Sequence, residues 1–467
     1  MTPSRWRALG GFEAAPAGAP PPTIRGNAFR IAAALLLLVA TGTVLLSLPI
    51  SPREGPPPRL VDAVFTSVSA SSVTGLVVVD TAGHWSVFGQ VVILLLMQIG
   101  GLGFMVGASL MLQIIRGKQG PRLRDQVLLR DGSPALSLRD ASRLGRGIVR
   151  YTLVVEAIAT LLLTAYFAAD MPIATALWNG LFLAVSSFCN GGFDLQGGFS
   201  SMADYRDSGW VNLVLIATMQ AGALGFLVVN EVISIRGWRK LSLDSKLTLL
   251  INALLLAGGA IFFLAVEWNG MLIGTPLAER PLSAIFQSVS ARSGGFSTLD
   301  WAVANQVTIF VWIGLMMAGG ASGSTAGGVR LATIGVLAVG VSAAVRGSDA
   351  IQAFRRRIPV ALVLQALAIV AIFVALHFAL SVVLAMTEDW IGGRNFPMVA
   401  LMFETMSALG TVGLSTGITP DLTSAGKAVL CLAMICGRLG PLSIAYLLER
   451  QRTRSAYRFP EEPVRLG

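Results

Sequence analysis

The residues able to do chemistry in this chain are glycines, serines and threonines set in a phrase that occurs four times. Phe65-Thr-Ser-Val-Ser69 leads to Gly75, Phe182-Leu-Ala-Val-Ser186 to Gly192, Phe286-Gln-Ser-Val-Ser290 to Gly295, and Phe403-Glu-Thr-Met-Ser407 to Gly413. The step from serine to glycine is the same in three copies and one residue shorter in the third. A dehydrated cation needs oxygens in place of its water, because taking an ion into low dielectric costs on the order of 20 kcal/mol. Backbone carbonyls supply such oxygens without fixed charge. Glycine accepts φ > 0, which lets successive carbonyls turn toward one axis, and Ser or Thr hydroxyls add ligands. The chemistry on offer is cation coordination. A single glycine in a membrane segment more often just lets helices pack closely. Four copies roughly a hundred residues apart, each at the same place in its unit, point instead to a repeated, domain-sized device.

The elements that must position these loops are membrane helices. The chain is 54% hydrophobic and 13% charged, a balance that suits a bilayer rather than water. A net charge of +10 would suit nucleic acid only on a soluble basic face, and here the basic residues lie between apolar segments. No nucleic-acid partner is expected. Cys189, Cys431 and Cys436 lack metal-ligand spacing and imply no disulfide framework. Without a Ser/His/Asp set, paired carboxylates or a phosphate-binding glycine loop, neither an enzyme nor a bound cofactor is expected.

One order recurs along the chain: spanning helix, short half-helix, glycine-bearing loop, spanning helix. It predicts an all-α integral membrane protein of four parallel repeats, with eight transmembrane helices and four re-entrant pore helices around a central pore. The repeats are placed at 29–116, 148–235, 245–346 and 356–449, after a disordered cytoplasmic arm at 1–28. A basic cytoplasmic loop at 117–147 and a tail at 450–467 complete the chain. Lys and Arg gather at 1–30, 116–150, 236–246, 346–357 and 450–465. Positive residues favour the cytoplasmic side, so both termini are expected inside and the half-helices enter from outside.

The apolar run at 302–345 is too long for one straight crossing. Gly319, Gly320, Ser322, Gly323, Ser324, Thr325, Gly327 and Gly328 interrupt it, and such a stretch does not hold a regular helix. Unwound backbone at that depth is expected to line a cavity; the alternative is a plain helix kink. Arg438 lies inside the last helix, where a charge either faces the bundle interior with a partner or snorkels to the surface. Asp80, Asp194, Asp300 and Asp421 each follow a glycine loop, either to concentrate cations at a mouth or to cap the next helix. Arg292 and Glu404 are expected to brace their loops from behind, and Glu156 is a candidate for a buried pair.

Ser72-Val-Thr-Gly-Leu76-Val-Val-Val-Asp80, Phe188-Cys-Asn-Gly-Gly-Phe-Asp194, Ala291-Arg-Ser-Gly-Gly-Phe296 and Ala408-Leu-Gly-Thr-Val-Gly-Leu-Ser-Thr416 resemble the filter loops of the Trk/Ktr/HKT superfamily of potassium transporters. The resemblance spans about 30–448, and the eight-helix form is Ktr-like. It implies four M1–P–M2 units in a homodimer embedded in the bilayer of a bacterial inner membrane. It also implies potassium as the substrate, held by the carbonyls of Val73, Thr74, Asn190, Gly191, Ser293, Gly294, Thr411 and Val412 beside Gly75, Gly192, Gly295 and Gly413. Gly75, where a plant branch with serine carries sodium, points to potassium. The stretch 319–328 looks like the family's gating loop, with Ala321-Ser322 in place of the usual Ser-Pro and Arg330 in place of Lys. Arg438 is implied as a barrier or gate partner below the filter. Gly191 and Gly294 stand where alanine is common, which loosens those loops. A cytosolic ring of RCK/KTN-type nucleotide-binding subunits is the implied partner. Channel-like flow and coupling to sodium or protons both stay open. The competing reading is a secondary transporter of sodium or of a small organic solute, which would need a central pocket of specific polar side chains.

Overall fold

The computed structural model describes residues 24–54, 58–118, 138–235, 237–348 and 350–440. The arm up to residue 23, the centre of the basic loop and the C-terminal tail lie outside the described residues. Helix α1 (Ile24–Leu46) leads to a short α2 (Leu60–Ser72) and a long α3 (Val87–Lys118). The same order follows in α4 (Leu138–Phe167), α5 (Ile173–Cys189) and α6 (Gly209–Ile235). It follows again in α7 (Leu243–Glu267), α8 (Arg280–Ser290) and the broken pair α9 (Gln306–Met317) and α10 (Leu331–Val345). The last set is α11 (Val360–Trp390), α12 (Met398–Gly410) and α13 (Ser424–Leu439).

Apolar and polar side chains are distributed as lipid requires. Leu254, Leu364, Leu367 and Phe378 face outward, while Ser69, Ser186, Ser290, Ser407, Glu267, Glu388 and Arg438 are buried. In water the preference would run the other way; in a bilayer polar groups turn into the bundle. Among the described residues, four helices are long and apolar enough to cross a membrane: Leu144–Phe167 within α4, and α6, α7 and α11. The other apolar stretches counted are shorter, among them Ala32–Leu46 of α1 and Val87–Gly103 of α3. Part of the difference from the expected eight is physical, since α9 and α10 are two halves of one interrupted run. The description of α13 also stops at Leu439, short of the predicted end at 449.

The short helices sit at the centre. Phe65, Phe182, Phe286 and Phe403, the residues that open the four phrases, are each fully buried. Phe403 packs against Trp301, with ring centroids 5.4 Å apart, and Trp301 against Trp312 at 5.6 Å. Two buried carboxylates fasten helix ends together. Glu267, at the end of α7, accepts from the Asn305 N–H at 3.0 Å and from the Thr308 hydroxyl, at the start of α9. Glu388, near the end of α11, accepts from Thr423 Oγ1 at 2.8 Å and its N–H at 3.1 Å, at the start of α13. Each carboxylate meets the positive end of a helix dipole and orphan N–H groups. Lys427 of α13 pairs with Asp62 of α2 at 3.2 Å and ties the last helix to the first short one.

Some local structure departs from the sequence reading. α1 starts at Ile24, inside the stretch expected to be disordered, and α4 starts at Leu138, inside the expected basic loop. Helices continue beyond the apolar run because their backbone bonds do not depend on lipid. α6 breaks at Gly225 (φ 67, ψ 162), and a two-residue hairpin pairs Gln352–Ala353 with Arg356–Arg357.

Glu388→Ala leaves the Thr423 N–H and hydroxyl without their acceptor. The expected cost is about 1–3 kcal/mol, read as a lower thermal unfolding midpoint of the purified protein. An unchanged midpoint contradicts the role given to this carboxylate.

Candidate functional site

Helices α2, α5 and α12 stop in the same way. The residue after the last turn is left-handed: Val73 (φ 58), Asn190 (φ 60) and Thr411 (φ 49). The following N–H then reaches back along the helix. Thr74 donates to the Ser69 carbonyl at 2.8 Å, Gly191 to Ser186 at 2.6 Å and Val412 to Ser407 at 2.8 Å. This is the Schellman stop, where glycine is the usual residue. Val73 and Thr411 are β-branched, so each holds on the order of 1–3 kcal/mol of backbone strain. α8 ends differently: Ser293 carries the positive φ (95°), in keeping with the shorter serine-to-glycine step. Gly75, Gly192, Gly295 and Gly413 all have φ between 67° and 95°.

The four loops close a ring. A Cβ added to Gly75 would lie 2.5 Å from the Gly191 carbonyl oxygen, and one on Gly192 3.0 Å from Gly295 Cα. One on Gly295 would lie 2.6 Å from the Val412 carbonyl oxygen, and one on Gly413 would press on the Thr74 carbonyl oxygen. The contacts pass from loop to loop in chain order and return to the first.

In the first and fourth loops the glycine N–H is satisfied from behind. Gly75 donates to Ser69 Oγ at 3.1 Å and Gly413 to Ser407 Oγ at 3.0 Å. The sequence reading offered serine hydroxyls only as further ion ligands; the fixed offset of these serines from the glycine was the available signal for a supporting role. The carbonyls are a different matter. Among the described residues, no donor reaches the carbonyl oxygens of Val73, Thr74, Asn190, Gly191, Ser293, Gly294 or Val412, although these residues are buried. The Thr411 carbonyl accepts from Ser293 Oγ at 3.0 Å. An unmatched buried acceptor costs about 1–3 kcal/mol, so a ring of them is suited to a cation that has shed its water.

Between α9 and α10 the chain makes a buried excursion. Its neck is closed by Gly319 N–H to the Val329 carbonyl at 3.0 Å and Val329 N–H to Met317 at 2.9 Å. Its tip leans on α6, where Ala321 N–H donates to the Ala223 carbonyl at 2.8 Å and Thr325 N–H to Gly222 at 3.3 Å. The break at Gly225 admits it, since a Cβ there would lie 3.0 Å from the Gly323 carbonyl. The excursion therefore has its own bonding pattern and is more than a kink. Gly320, Ser324 and Gly328 are buried within it, and Ser322 is half-buried. It also touches the ring. Thr325 Oγ1 accepts from Asn190 Nδ2 at 2.9 Å and donates to the Phe188 carbonyl at 3.1 Å. Gly327 N–H donates to Ser293 Oγ at 3.4 Å, and Gly327 packs on the Thr411 side chain.

Arg438 is only 2% exposed, so it does not snorkel. Its guanidinium donates to the Thr325 carbonyl and, at 3.0 Å, to the Gly100 carbonyl of α3. Arg330 donates to the Ala326 carbonyl. Arg292 turns away from its loop to Asn252 Oδ1 on α7. Glu404 accepts from Thr416 N–H and Ser415 Oγ, both at 2.8 Å, and from Thr419 Oγ1 at 2.6 Å, behind the fourth loop. The partner of Glu156 is the neutral Gln98, at 3.1 Å. Asp80, Asp194 and Asp300 each accept a backbone N–H, from Gly83, Gln196 and Ala302; Asp421 is exposed in the turn Thr419–Asp421. Burial pushes the Asp194 carboxyl up to about 6, with the Gln196 N–H opposing the shift and Asp80 adding to it.

Comparison with known proteins bears on this arrangement. A family model described as TrkH, cation transport protein, matches residues 20–453. The chain is 37% identical over 443 residues to the potassium/sodium uptake protein NtpJ of Enterococcus hirae, covering 94% of this chain and 96% of the relative. It is 34% identical over 441 residues to the Ktr system potassium uptake protein B of Bacillus subtilis, covering 94% and 96%. The crystal structure of the potassium transporter TrkH from Vibrio parahaemolyticus superposes with a TM-score of 0.71 at 19% identity. That match covers 91% of this chain and 85% of the other, and indicates a shared fold.

Ser407→Ala removes the acceptor behind Gly413. Ion selectivity is expected to fall by about tenfold, the equivalent of 1.4 kcal/mol, measured as competition between ions in a flux assay. Wild-type competition would remove the serine from the site. Asp194 is charged above its raised pKa and neutral below it, so cation affinity at the mouth is expected to weaken as pH falls through about 6. Asp194→Asn should flatten that step; an identical pH profile contradicts it.

Proposed function

The chain belongs to the TrkH family of cation transport proteins, and from that premise we propose that it takes up potassium through the ring of four loops. It is an ion transporter and not an enzyme. Potassium is the ion shared by the names of the two relatives, and the observation that carries the reading is the ring of buried carbonyls without donors. In this reading the carbonyls of Val73, Thr74, Asn190, Gly191, Ser293, Gly294, Thr411 and Val412 replace the ion's water. Each set of long, short and long helix is one M1–P–M2 repeat, with α9 and α10 counted as a single broken crossing. The partly negative C-terminal end of each short helix points at the ring, which favours a cation there.

The excursion at 319–328 is the gate. It lies against the second, third and fourth loops and is held by a few backbone bonds together with Arg438 and Arg330. An ion passing the ring must displace it. The end bearing Arg239, Lys240, Lys246, Arg346 and Arg355 to Arg357 faces the cytoplasm, by the bias of positive residues. That end would dock a ring of nucleotide-binding regulatory subunits, and two copies of the chain would form the working unit.

The test is rubidium uptake into proteoliposomes holding the full chain, with potassium, sodium or lithium as competitors. Competition by potassium alone is expected; equal competition by sodium sinks the potassium reading. Gly75→Ser places a side chain at φ 91, against the Gly191 carbonyl, and is expected to reduce potassium-over-sodium selectivity by about tenfold, or 1.4 kcal/mol. Unchanged selectivity would remove Gly75 from the filter. A deletion within 319–328 is expected to raise flux several-fold, and unaltered flux in a folded deletion variant would end the gate assignment.

A further inference from the structure

Outside the ring, a groove of about 460 Å³ lies between α7 and α10. Its walls are aliphatic: Leu247, Ile251 and Leu254 from α7 face Ala338 and Val339 from α10. The helices come closest at Gly335, where a Cβ would lie 3.2 Å from Leu247 Cβ. The mouth is of the opposite character. Arg346, the residue that ends α10, is exposed there beside Ser342, one turn earlier. The hairpin after α10 completes the mouth with Ala350 and Gln352.

This hairpin is held in place. Ile358 N–H donates to the Ile351 carbonyl at 2.9 Å. At the turn, Phe354 and Arg355 both have positive φ (49° and 62°). The Phe354 ring packs 6.2 Å from the Trp238 ring, and Lys246 Nζ stands 5.7 Å above its centroid. The hairpin thus adds Arg355, Arg356 and Arg357 to Arg346; Arg357 pairs across it with the groove residue Gln352 and lines an adjoining cavity with Ile351, Ile358 and Pro359. Among the described residues, none of these four arginines is in a salt bridge.

An aliphatic trough on the lipid-facing side of two helices, opening onto uncompensated guanidinium groups at the membrane boundary, matches an amphiphile with an anionic head. We propose that this groove binds one anionic phospholipid, with an acyl chain along Leu247, Ile251 and Val339 and its phosphate on Arg346. A zwitterionic lipid offers the same chain but no net charge to complement the arginines. The site bears on the rest of the molecule because α10 begins at Leu331, directly after the excursion. The inference needs only that the chain is embedded in a membrane, and it holds whether or not the excursion is a gate.

The experiment uses the full chain in nanodiscs with a photoactivatable phosphatidylglycerol carrying the reactive group on its acyl chain. Cross-links are expected within 247–254 and 335–346. Unlabelled phosphatidylglycerol should compete, whereas phosphatidylcholine and soluble glycerol 3-phosphate should not. Labelling should fall about fivefold in Arg346→Gln, by loss of the charge on the head, and in Ala338→Trp, which fills the trough. Arg346→Lys should retain it, and the thermal midpoint of each variant shows that it is folded. Equal labelling in wild type and Ala338→Trp overturns the site, as does equal competition by phosphatidylcholine. If Ala338→Trp converts a dimer to a monomer without changing lipid labelling, the groove belongs to a second copy of the chain.

Discussion

Inside a bilayer, backbone that leaves the helix must find partners for every N–H and C=O within the protein. Four loops at the centre of this molecule meet that demand asymmetrically. Most of their N–H groups are bound from behind, by the carbonyls of the preceding turn and, in the first and fourth loops, by the serine hydroxyls at positions 69 and 407. Most of their carbonyls receive no donor among the described residues and are available to whatever occupies the axis. The strain at Val73 and Thr411 follows from the same arrangement. A left-handed residue there ends the helix and turns the next carbonyls out of the helical direction.

The buried charges follow from the same constraint. Glu267, Glu388 and Glu404 bind N–H and hydroxyl groups of neighbouring segments. Arg438 and Arg330 bind carbonyls of the excursion, and Arg292 binds Asn252. In each case the side chain partners backbone, hydroxyl or amide groups that would otherwise be stranded, and several bonds to one group hold irregular structure in place. The polarity offered at the ring is mostly that of peptide dipoles and hydroxyls.

The excursion between α9 and α10 joins the ring to the outer helices. It rests on α6 at a glycine break, on α13 and α3 through Arg438, and on three loops through Thr325 and Gly327. Movement of any of these elements therefore reaches the ring through contacts that are individually weak.

The sequence by itself determined what is local and periodic. Apolar length marked membrane helices, the recurring serine-to-glycine step marked the loops, and the glycines of 319–328 marked the interruption that separates α9 from α10. The positive φ at all four glycines was legible for the same reason, since it is a property of one residue and its neighbours. Tertiary structure alone decided which groups meet. Arg438 finds Thr325 and Gly100 far away in the chain, Glu156 finds Gln98 rather than a cation, and two of the four aspartates, Asp80 and Asp300, serve as caps. The break at Gly225 was not legible either, because many glycines in these helices stay helical and only the approach of Gly323 and Ser324 distinguishes this one. Hydropathy and spacing record what a segment can do on its own; the partner that satisfies a buried polar group is set by three-dimensional proximity, which no single segment contains.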